Sequence, residues 1–214
     1  MQITRDTLRA ALALTLPTPP PDTLVGEGTR AAAVAIPVRL GAEPAATLVL
    51  RSSALRDHPG EVGFPGGKQD PGDPDLAATA LRELEEEVAL RPEDVEVLGR
   101  LEAIPVITGR YLIHPFVVLV REGLRPRVAS TEIARLLDVP LLPWITGAAV
   151  IRGVRTEWRG GVNVPHFELD GCTLYGASAF IFHEMLQRIA AALGRELPTP
   201  QLQTELPWGD RYDR

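Results

Sequence analysis

The chain has 214 residues, of which 45% are hydrophobic and 23% are charged, and its formal net charge is −6. This length and composition predict one sizeable globular domain with a substantial core. The negative charge argues against nucleic acid as a partner across the whole surface, so that any recognition of phosphate requires a local basic pocket.

The cysteine content and the apolar patterning of the sequence argue against secretion and membrane insertion. The single cysteine, Cys172, cannot form an internal disulfide, which suits a reducing compartment. No apolar run approaches the length of a membrane span. Asp6 and Arg9 interrupt the region before the apolar stretch 10–16, which argues against a secretory signal. We therefore expect a cytoplasmic protein without a membrane partner.

The periodicity of apolar residues predicts most of the secondary structure. In the N-terminal half we expect a helix over 4–16, a proline-rich connector, a hairpin of strands 29–40 and 46–51, a polar loop over 52–65, and a helix over 76–90. In the C-terminal half we expect strands 95–104 and 111–120 around a turn at Thr108-Gly109, a short helical turn within 131–137, strands 150–158 and 162–169 around Gly160-Gly161, and a helix over 175–193. A single domain spans 1–214, with an N-terminal helix and connector over about 1–28 and a loosely ordered tail over about 195–214.

The helix over 76–90 carries the residues with the clearest chemistry. Glu83, Glu86 and Glu87 lie at i, i+3 and i+4, so they are neighbours on one side of the helix. Carboxylates this close repel one another unless a cation neutralises them, and a hard divalent cation with oxygen ligands does so. The alternative is a solvated acidic face that Arg82 partly balances.

The start of this helix follows a glycine turn at Gly66-Gly67. Asp73 is predicted to be its N-cap, Pro74 suits the first helical position, and Asp75 faces the positive end of the helix dipole. The glycines allow the backbone to approach a metal closely, where a carbonyl oxygen of the turn can act as a ligand.

The segment Arg82-Glu83-Leu84-Glu85-Glu86-Glu87-Val88-Ala89-Leu90, preceded by Gly66-Gly67, resembles the signature of the Nudix hydrolases. Two features depart from that signature. Ala89 stands where the signature has glycine, and the stretch before Arg82 is one residue longer, with Asp73 or Asp75 near the position of the first glutamate. We predict that the backbone of Ala89 stays in an ordinary helical conformation.

The resemblance implies an α/β fold, a Nudix-type α/β/α sandwich with a mixed β-sheet. It also implies a Mg²⁺ or Mn²⁺ cofactor whose ligands are Glu83, Glu86, Glu87 and the backbone of Gly67, with Arg82 orienting a glutamate. The general base is either a glutamate of the signature or a distal acid in a loop opposite the helix. Glu132 is the candidate for that distal acid, and the alternative is that Glu132 begins a short helix.

The loop before the glycines is similar to that of the coenzyme A pyrophosphatase branch of the family. The similarity rests on Arg51-Ser52, Arg56, His58, Gly60, Val62 and Phe64-Pro65-Gly66-Gly67, with later matches at Pro115-Phe116-Val117 and Tyr175-Gly176-Ala177-Ser178-Ala179. Glu61 departs from the glutamine expected there. This branch implies hydrolysis of coenzyme A or its derivatives to 3′,5′-ADP and 4′-phosphopantetheine or its derivative, by a monomer or homodimer.

Coenzyme A carries a 3′-phosphate besides its pyrophosphate, so a specific site requires additional cationic donors. The candidates are Arg51, Arg56, His58, Lys68 and Arg110, and the alternative for each is an ordinary surface or structural role. Arg56 is favoured over Arg51 for the 3′-phosphate, because Arg51 ends a predicted strand.

Two other functions stay open. One is hydrolysis of a different nucleoside diphosphate derivative, such as ADP-ribose or NADH. The loop before the glycines argues against this function. The other is a nucleotide-sensing Nudix module without catalysis, against which the presence of all three signature acids argues.

Overall fold

The computed structural model describes residues 1–14, 26, 28–106, 108–155 and 163–206. The helices are α1 (Arg5–Ala13), α2 (Leu76–Val88), α3 (Leu142–Thr146) and α4 (Gly176–Ala192), with a 3₁₀ turn at Pro92–Asp94. The strands are β1 (Arg30–Arg39), β2 (Ala45–Arg51), β3 (Val62–Gly63), β4 (Gly66–Lys68), β5 (Val95–Arg100), β6 (Ile104–Pro105), β7 (Tyr111–Val120), β8 (Ile133–Pro140), β9 (Arg152–Arg155), β10 (Asn163–Leu169), β11 (Cys172–Leu174) and β12 (Gln201–Gln203). Within the described ranges no helix is long and apolar enough to span a bilayer.

The central sheet is mixed. Its strand order is β3-β2-β1-β7-β5, with β4 also paired to β1, β6 to β7 and β8 to β2. β1 runs parallel to β7 and antiparallel to β2. A second sheet has the order β11-β10-β9-β12. The predicted mixed sheet and the predicted β1–β2 hairpin are therefore confirmed.

The two faces of the central sheet are covered by different helices. Successive side chains of a strand point to opposite faces, so β1 contributes to two separate cores. Ala33 packs in one core with Leu84 of α2. Ile36 packs in the other core with Phe182 of α4, and α1 adds its apolar side chains there. The result is the α/β/α sandwich that the sequence predicts.

The segment 61–68 fills a gap between β1 and β2. These two strands pair only near their connecting turn, and farther along β3 pairs with β2 and β4 pairs with β1. The Arg51 N–H donates to the Glu61 carbonyl at 2.9 Å, and the Ala35 N–H donates to the Pro65 carbonyl at 2.9 Å. The glycine turn is thus fixed in the sheet, directly beside β1.

The predicted helical turn within 131–137 is wrong, because Ile133–Pro140 form the strand β8. β8 pairs antiparallel with β2 along the whole of that strand. Its hydrogen bonds join residues far apart in the sequence, and they outweigh the weak local preference for a helix.

Other predicted elements agree with the structure more closely. β7 has the predicted bounds, and α4 begins one residue after Tyr175 and ends one residue before Leu193. The predicted strand 95–104 is divided into β5 and β6.

Several predicted segments lie partly or wholly outside the described residues, among them residues 207–214 of the C-terminal tail. The hairpin of β9 and β10 is antiparallel, but its turn at Gly160-Gly161 lies outside the described residues, as do Leu16 and the proline-rich connector. Of the tail predicted to be loosely ordered, Gln201–Gln203 instead form β12, which pairs in parallel with β9.

Candidate active site

The N-cap of α2 is Asp75, so the predicted N-cap at Asp73 is wrong. The Asp75 carboxylate accepts a hydrogen bond from the Ala78 N–H at 2.8 Å, as an N-cap side chain does. The Asp73 carboxylate accepts instead from the Asp70 N–H at 3.0 Å and from the Thr79 hydroxyl at 2.9 Å. Asp73 therefore organises the turn before the helix.

Arg82 binds Asp73 through both arms of its guanidinium. Its Nε donates to Asp73 Oδ1 at 3.1 Å and its Nη2 to Oδ2 at 3.2 Å. The side chain of Asp73 is only 8% exposed, and the hydrogen bonds from Arg82 lower its pKa to about 2. Arg82 Nη2 also donates to the Lys68 carbonyl at 3.3 Å. The arginine thus ties α2 to β4 and to the turn between them.

The same arginine faces two of the signature glutamates. Its Nη1 lies 2.9 Å from Glu83 Oε1 and 3.3 Å from Glu86 Oε2. Glu83 is largely buried, with 16% of its side chain exposed, whereas Glu86 is 58% exposed. Arg82 is therefore in a position to orient both carboxylates.

Glu87 is the most buried of the three glutamates, which the sequence did not indicate. Its side chain is 8% exposed, and its Oε2 accepts a hydrogen bond from the Gly66 N–H at 3.3 Å. Burial, followed by repulsion from Glu83, raises the pKa of Glu87 to about 7. Burial also raises the pKa of Glu83. The ionised form of this pair is costly unless a cation approaches it.

Gly67 permits β4 to lie against the acidic helix. A Cβ atom at Gly67 would overlap the carboxylate of Glu83, so a side chain at this position would displace that carboxylate. The backbone of the glycine turn and an acid of α2 thus face each other at close range.

The donor set fits a hard divalent cation. Across residues 1–14, 26, 28–106, 108–155 and 163–206 no three His, Cys, Asp or Glu side chains are gathered closely enough to hold a metal ion, and Glu83 and Glu86 face Arg82. The available donors are nevertheless carboxylate and carbonyl oxygens, which Mg²⁺ and Mn²⁺ prefer. The buried carboxylate of Glu87 also requires a counter-charge when it ionises. Glu83, Glu86, Glu87 and the backbone of Gly67 are the residues that could hold such an ion.

Arg51 brings Glu132 to the same site. Arg51 ends β2, with its Nη2 3.3 Å from Glu132 Oε2 and its Nη1 3.9 Å from Glu87 Oε1. The Ser52 N–H also donates to the Glu132 carbonyl at 2.7 Å. Glu132 directly precedes β8, so the alternative that it begins a helix is wrong.

The remaining predicted substrate ligands are exposed. Arg56, Lys68 and Arg110 all lie at the surface. His58 has a positive φ of 53°, and its Nδ1 lies 2.8 Å from Glu61 Oε2, a hydrogen bond that raises the pKa of His58. A cavity of about 310 Å³ between β8 and the end of β10 contains none of the predicted site residues.

Ala89 ends α2 in the left-handed conformation, with φ 55° and ψ 34°. The prediction of an ordinary helical backbone is therefore wrong. The Ala89 N–H still donates to the Glu85 carbonyl at 3.0 Å, after which the chain reverses so that Leu90 enters the core beneath α2. The reversal requires positive φ here even though the residue is not glycine.

The chain is an α/β protein with a mixed sheet between two helical layers. In its candidate site an acidic helix lies against a glycine turn. Residues 29–146 match the family model described as the NUDIX domain. The chain belongs to the Nudix family.

Relatives agree with this assignment. The chain is 35% identical over 172 residues to NudL of Photorhabdus laumondii, named an uncharacterized Nudix hydrolase, covering 80% of this chain and 91% of the relative. NudL of Yersinia enterocolitica is 38% identical over 164 residues, covering 74% of this chain and 80% of the relative. A crystal structure of a NUDIX hydrolase from Nitrosomonas europaea has a TM-score of 0.50 at 13% identity, covering 84% of this chain and 81% of that chain, and shows a shared fold.

Proposed function

We propose that this protein hydrolyses the pyrophosphate of coenzyme A and its derivatives, releasing 3′,5′-ADP and 4′-phosphopantetheine or its derivative. One observation carries the proposal. The loop that resembles the coenzyme A pyrophosphatase branch begins at Arg51, beside Glu87, and ends at Gly67, against Glu83. The segment that would recognise the substrate and the helix that would support catalysis therefore belong to one site.

The acidic residues are assigned to the metal. Glu83, Glu86 and Glu87, together with the backbone of Gly67, would hold one or more Mg²⁺ or Mn²⁺ ions. A bound ion supplies Lewis acidity toward the pyrophosphate oxygens and toward the attacking water. Arg82 orients Glu83 and Glu86 through the contacts of its Nη1.

Glu132 is assigned as the general base. Its side chain is 53% exposed, so its carboxylate can reach a solvent water molecule, and its pairing with Arg51 keeps it on the side of Glu87. In the reaction it would accept the proton of the water that attacks phosphorus. The signature glutamates are the alternative base, and a Glu132→Gln variant with unchanged kcat would favour them.

Four exposed basic side chains are assigned to the phosphates. Arg56, His58 and Lys68 belong to the loop and strand that lead to the acidic helix, and Arg110 directly precedes β7. An exposed guanidinium can bind a phosphate through two parallel hydrogen bonds without first leaving an internal partner. Arg56 is assigned to the 3′-phosphate of the substrate.

The decisive assay is Mg²⁺-dependent release of 3′,5′-ADP from coenzyme A, with ADP-ribose and NADH measured under the same conditions. The proposal predicts the highest kcat/KM for coenzyme A or a derivative of it. Faster hydrolysis of ADP-ribose or NADH would overturn the coenzyme A assignment and retain the hydrolase. Nucleotide binding without cleavage of any of the three substrates would indicate a sensing module.

A further inference from the structure

We infer that Arg51 is a positioning residue that acts through Glu132 and Glu87 and does not bind the substrate's phosphates. This inference rests on the proposed function, because it takes Glu132 as the base and Glu87 as a metal ligand. The guanidinium of Arg51 lies between two carboxylates. Its Nη1 is 3.9 Å from Glu87 Oε1 on α2, and its Nη2 is 3.3 Å from Glu132 Oε2, just before β8.

The backbone fixes the place of Arg51. Its N–H donates to the Glu61 carbonyl at 2.9 Å. The register of the β2–β8 ladder shifts between Leu50 and Arg51, which sets Arg51 opposite Ile133. The next N–H, of Ser52, donates to the Glu132 carbonyl at 2.7 Å. Glu132 is therefore held twice, through its backbone by Ser52 and through its side chain by Arg51.

The guanidinium has internal partners and little access to solvent. Only 25% of the Arg51 side chain is exposed. Its Nε is buried and has no hydrogen-bond partner among the described residues, so this atom is not accessible to a phosphate of the substrate. Its two Nη atoms face Glu132 and Glu87, which come from two different elements. A planar fork can serve two separate carboxylates in this way, whereas a lysine ammonium is a single point of charge.

The position of the Arg51 charge gives Glu87 and Glu132 different roles. A divalent cation at Glu87 attracts any free carboxylate nearby, and Glu132 is close enough to share Arg51 with Glu87. By pairing with Glu132, Arg51 keeps that carboxylate from becoming one more metal ligand and reserves it for the proton of the water. The same positive charge repels the cation, because like charges in a partly buried site interact strongly.

This arrangement predicts opposite changes in metal binding and in turnover for Arg51→Met. Mn²⁺ should bind the substrate-free protein more tightly, by about three- to tenfold, because a repelling charge is removed. The kcat should fall by about ten- to a hundredfold, as expected for the loss of a charge-assisted hydrogen bond. KM should be unchanged for both coenzyme A and 3′-dephospho-coenzyme A. Arg51→Lys, which keeps the charge without the fork, should keep wild-type Mn²⁺ affinity and recover part of the kcat.

The measurements are steady-state kinetics on both substrates and calorimetric titration of Mn²⁺ into the substrate-free protein. Arg9→Met is the charge-matched control. Arg9 lies on α1, on the opposite face of the sheet, and its partner Glu96 keeps a second contact with Arg5. This control should change neither Mn²⁺ affinity nor kcat.

A double-mutant cycle with Glu132→Gln tests the coupling. If Arg51 acts through Glu132, then Arg51→Met costs little further kcat in the Glu132→Gln background. Fully additive losses would overturn the inference, and so would weaker Mn²⁺ binding by Arg51→Met or a rise in KM confined to coenzyme A. If the wild-type protein cleaves neither substrate, the proposed function fails, and the Mn²⁺ titration still decides whether Arg51 opposes the cation.

Discussion

Arg82 and Asp73 form a bidentate pair, with Nε to Oδ1 at 3.1 Å and Nη2 to Oδ2 at 3.2 Å. The pair joins the turn before α2 to the second turn of that helix. The remaining nitrogen of the Arg82 guanidinium, Nη1, faces Glu83 and Glu86. Since the fork to Asp73 fixes the plane of the guanidinium, it also fixes the direction in which the arginine meets the two glutamates.

Asp73→Asn should therefore lower activity without removing a metal ligand. An amide cannot accept both arms of the guanidinium, so Arg82 loses its fixed orientation. We expect kcat to fall by about ten- to a hundredfold, the cost of one charge-assisted bond. Asp70→Asn is the matched control, because Asp70 is 65% exposed and lies 3.8 Å from Arg82. Equal losses in the two variants would contradict the special role of Asp73.

Glu86→Gln and Glu87→Gln should each reduce turnover by orders of magnitude while the fold is retained. Each change replaces a charged oxygen donor by a weaker neutral one in the proposed metal site. The measurement is kcat at saturating Mg²⁺, with circular dichroism to check folding. Glu85→Gln removes the same charge from an exposed position of the same helix and should be nearly neutral. Near-normal turnover in both site variants would refute the assignment.

Ionisation of Glu87 should destabilise the metal-free protein as the pH rises from 5 to 8, and it opposes a gain in stability from the buried His183, whose pKa burial lowers to about 4. The pKa of Glu87 is raised from 4.5 to about 7 in the fold, so the folded state binds this proton more tightly than the unfolded state. The stabilisation is complete below pH 4.5 and is lost as the pH rises through 7. For a carboxylate this buried the loss amounts to roughly 3 kcal/mol.

Glu87→Gln separates this contribution from those of other groups. The amide has no proton to lose, so the variant should be more stable than the wild type at pH 8 in a chelator and similar to it at pH 5. Urea unfolding at the two pH values measures the difference. A stability gap that does not depend on pH would show that Glu87 is not the titrating group.

Ala89→Gly should stabilise the protein. Ala89 has a positive φ of 55°, a conformation that glycine adopts without steric cost, so we expect a gain of about 0.5–1 kcal/mol. Thermal unfolding measures it. Ala78→Gly, within the regular first turn of α2, should have the opposite sign, with a loss of about 1 kcal/mol. Destabilisation by Ala89→Gly would contradict the left-handed cap.

Arg56→Ala should impair coenzyme A more than 3′-dephospho-coenzyme A. Loss of a charge-assisted hydrogen bond to the 3′-phosphate is worth about 1.5–3 kcal/mol, or roughly ten- to a hundredfold in kcat/KM. The substrate without that phosphate should be nearly unaffected. Equal losses on both substrates would assign Arg56 to the pyrophosphate or to the fold, and no loss on either would make it a surface charge.

Elements whose signals are local could be predicted from the sequence. β7 and α4 lie where the periodicity of their apolar residues predicts them, because side-chain spacing reports directly which faces are buried. The placement of Glu83, Glu86 and Glu87 on neighbouring turns of α2 follows from the i, i+3, i+4 spacing alone. The resemblance of the segment 82–90 to the Nudix signature was likewise visible without coordinates.

The partners of these residues depend on contacts between distant parts of the chain. Arg51 and Glu132 are 81 positions apart in the chain, and no local pattern indicates their pairing. Residues 133–140 form the strand β8 because they pair with β2 along its whole length. Gln201–Gln203 form the strand β12 because they pair with the edge of β9. The burial of Glu87 and the left-handed Ala89 arise in the same way. The cost or benefit of each conformation is set by neighbours that folding brings from elsewhere in the chain.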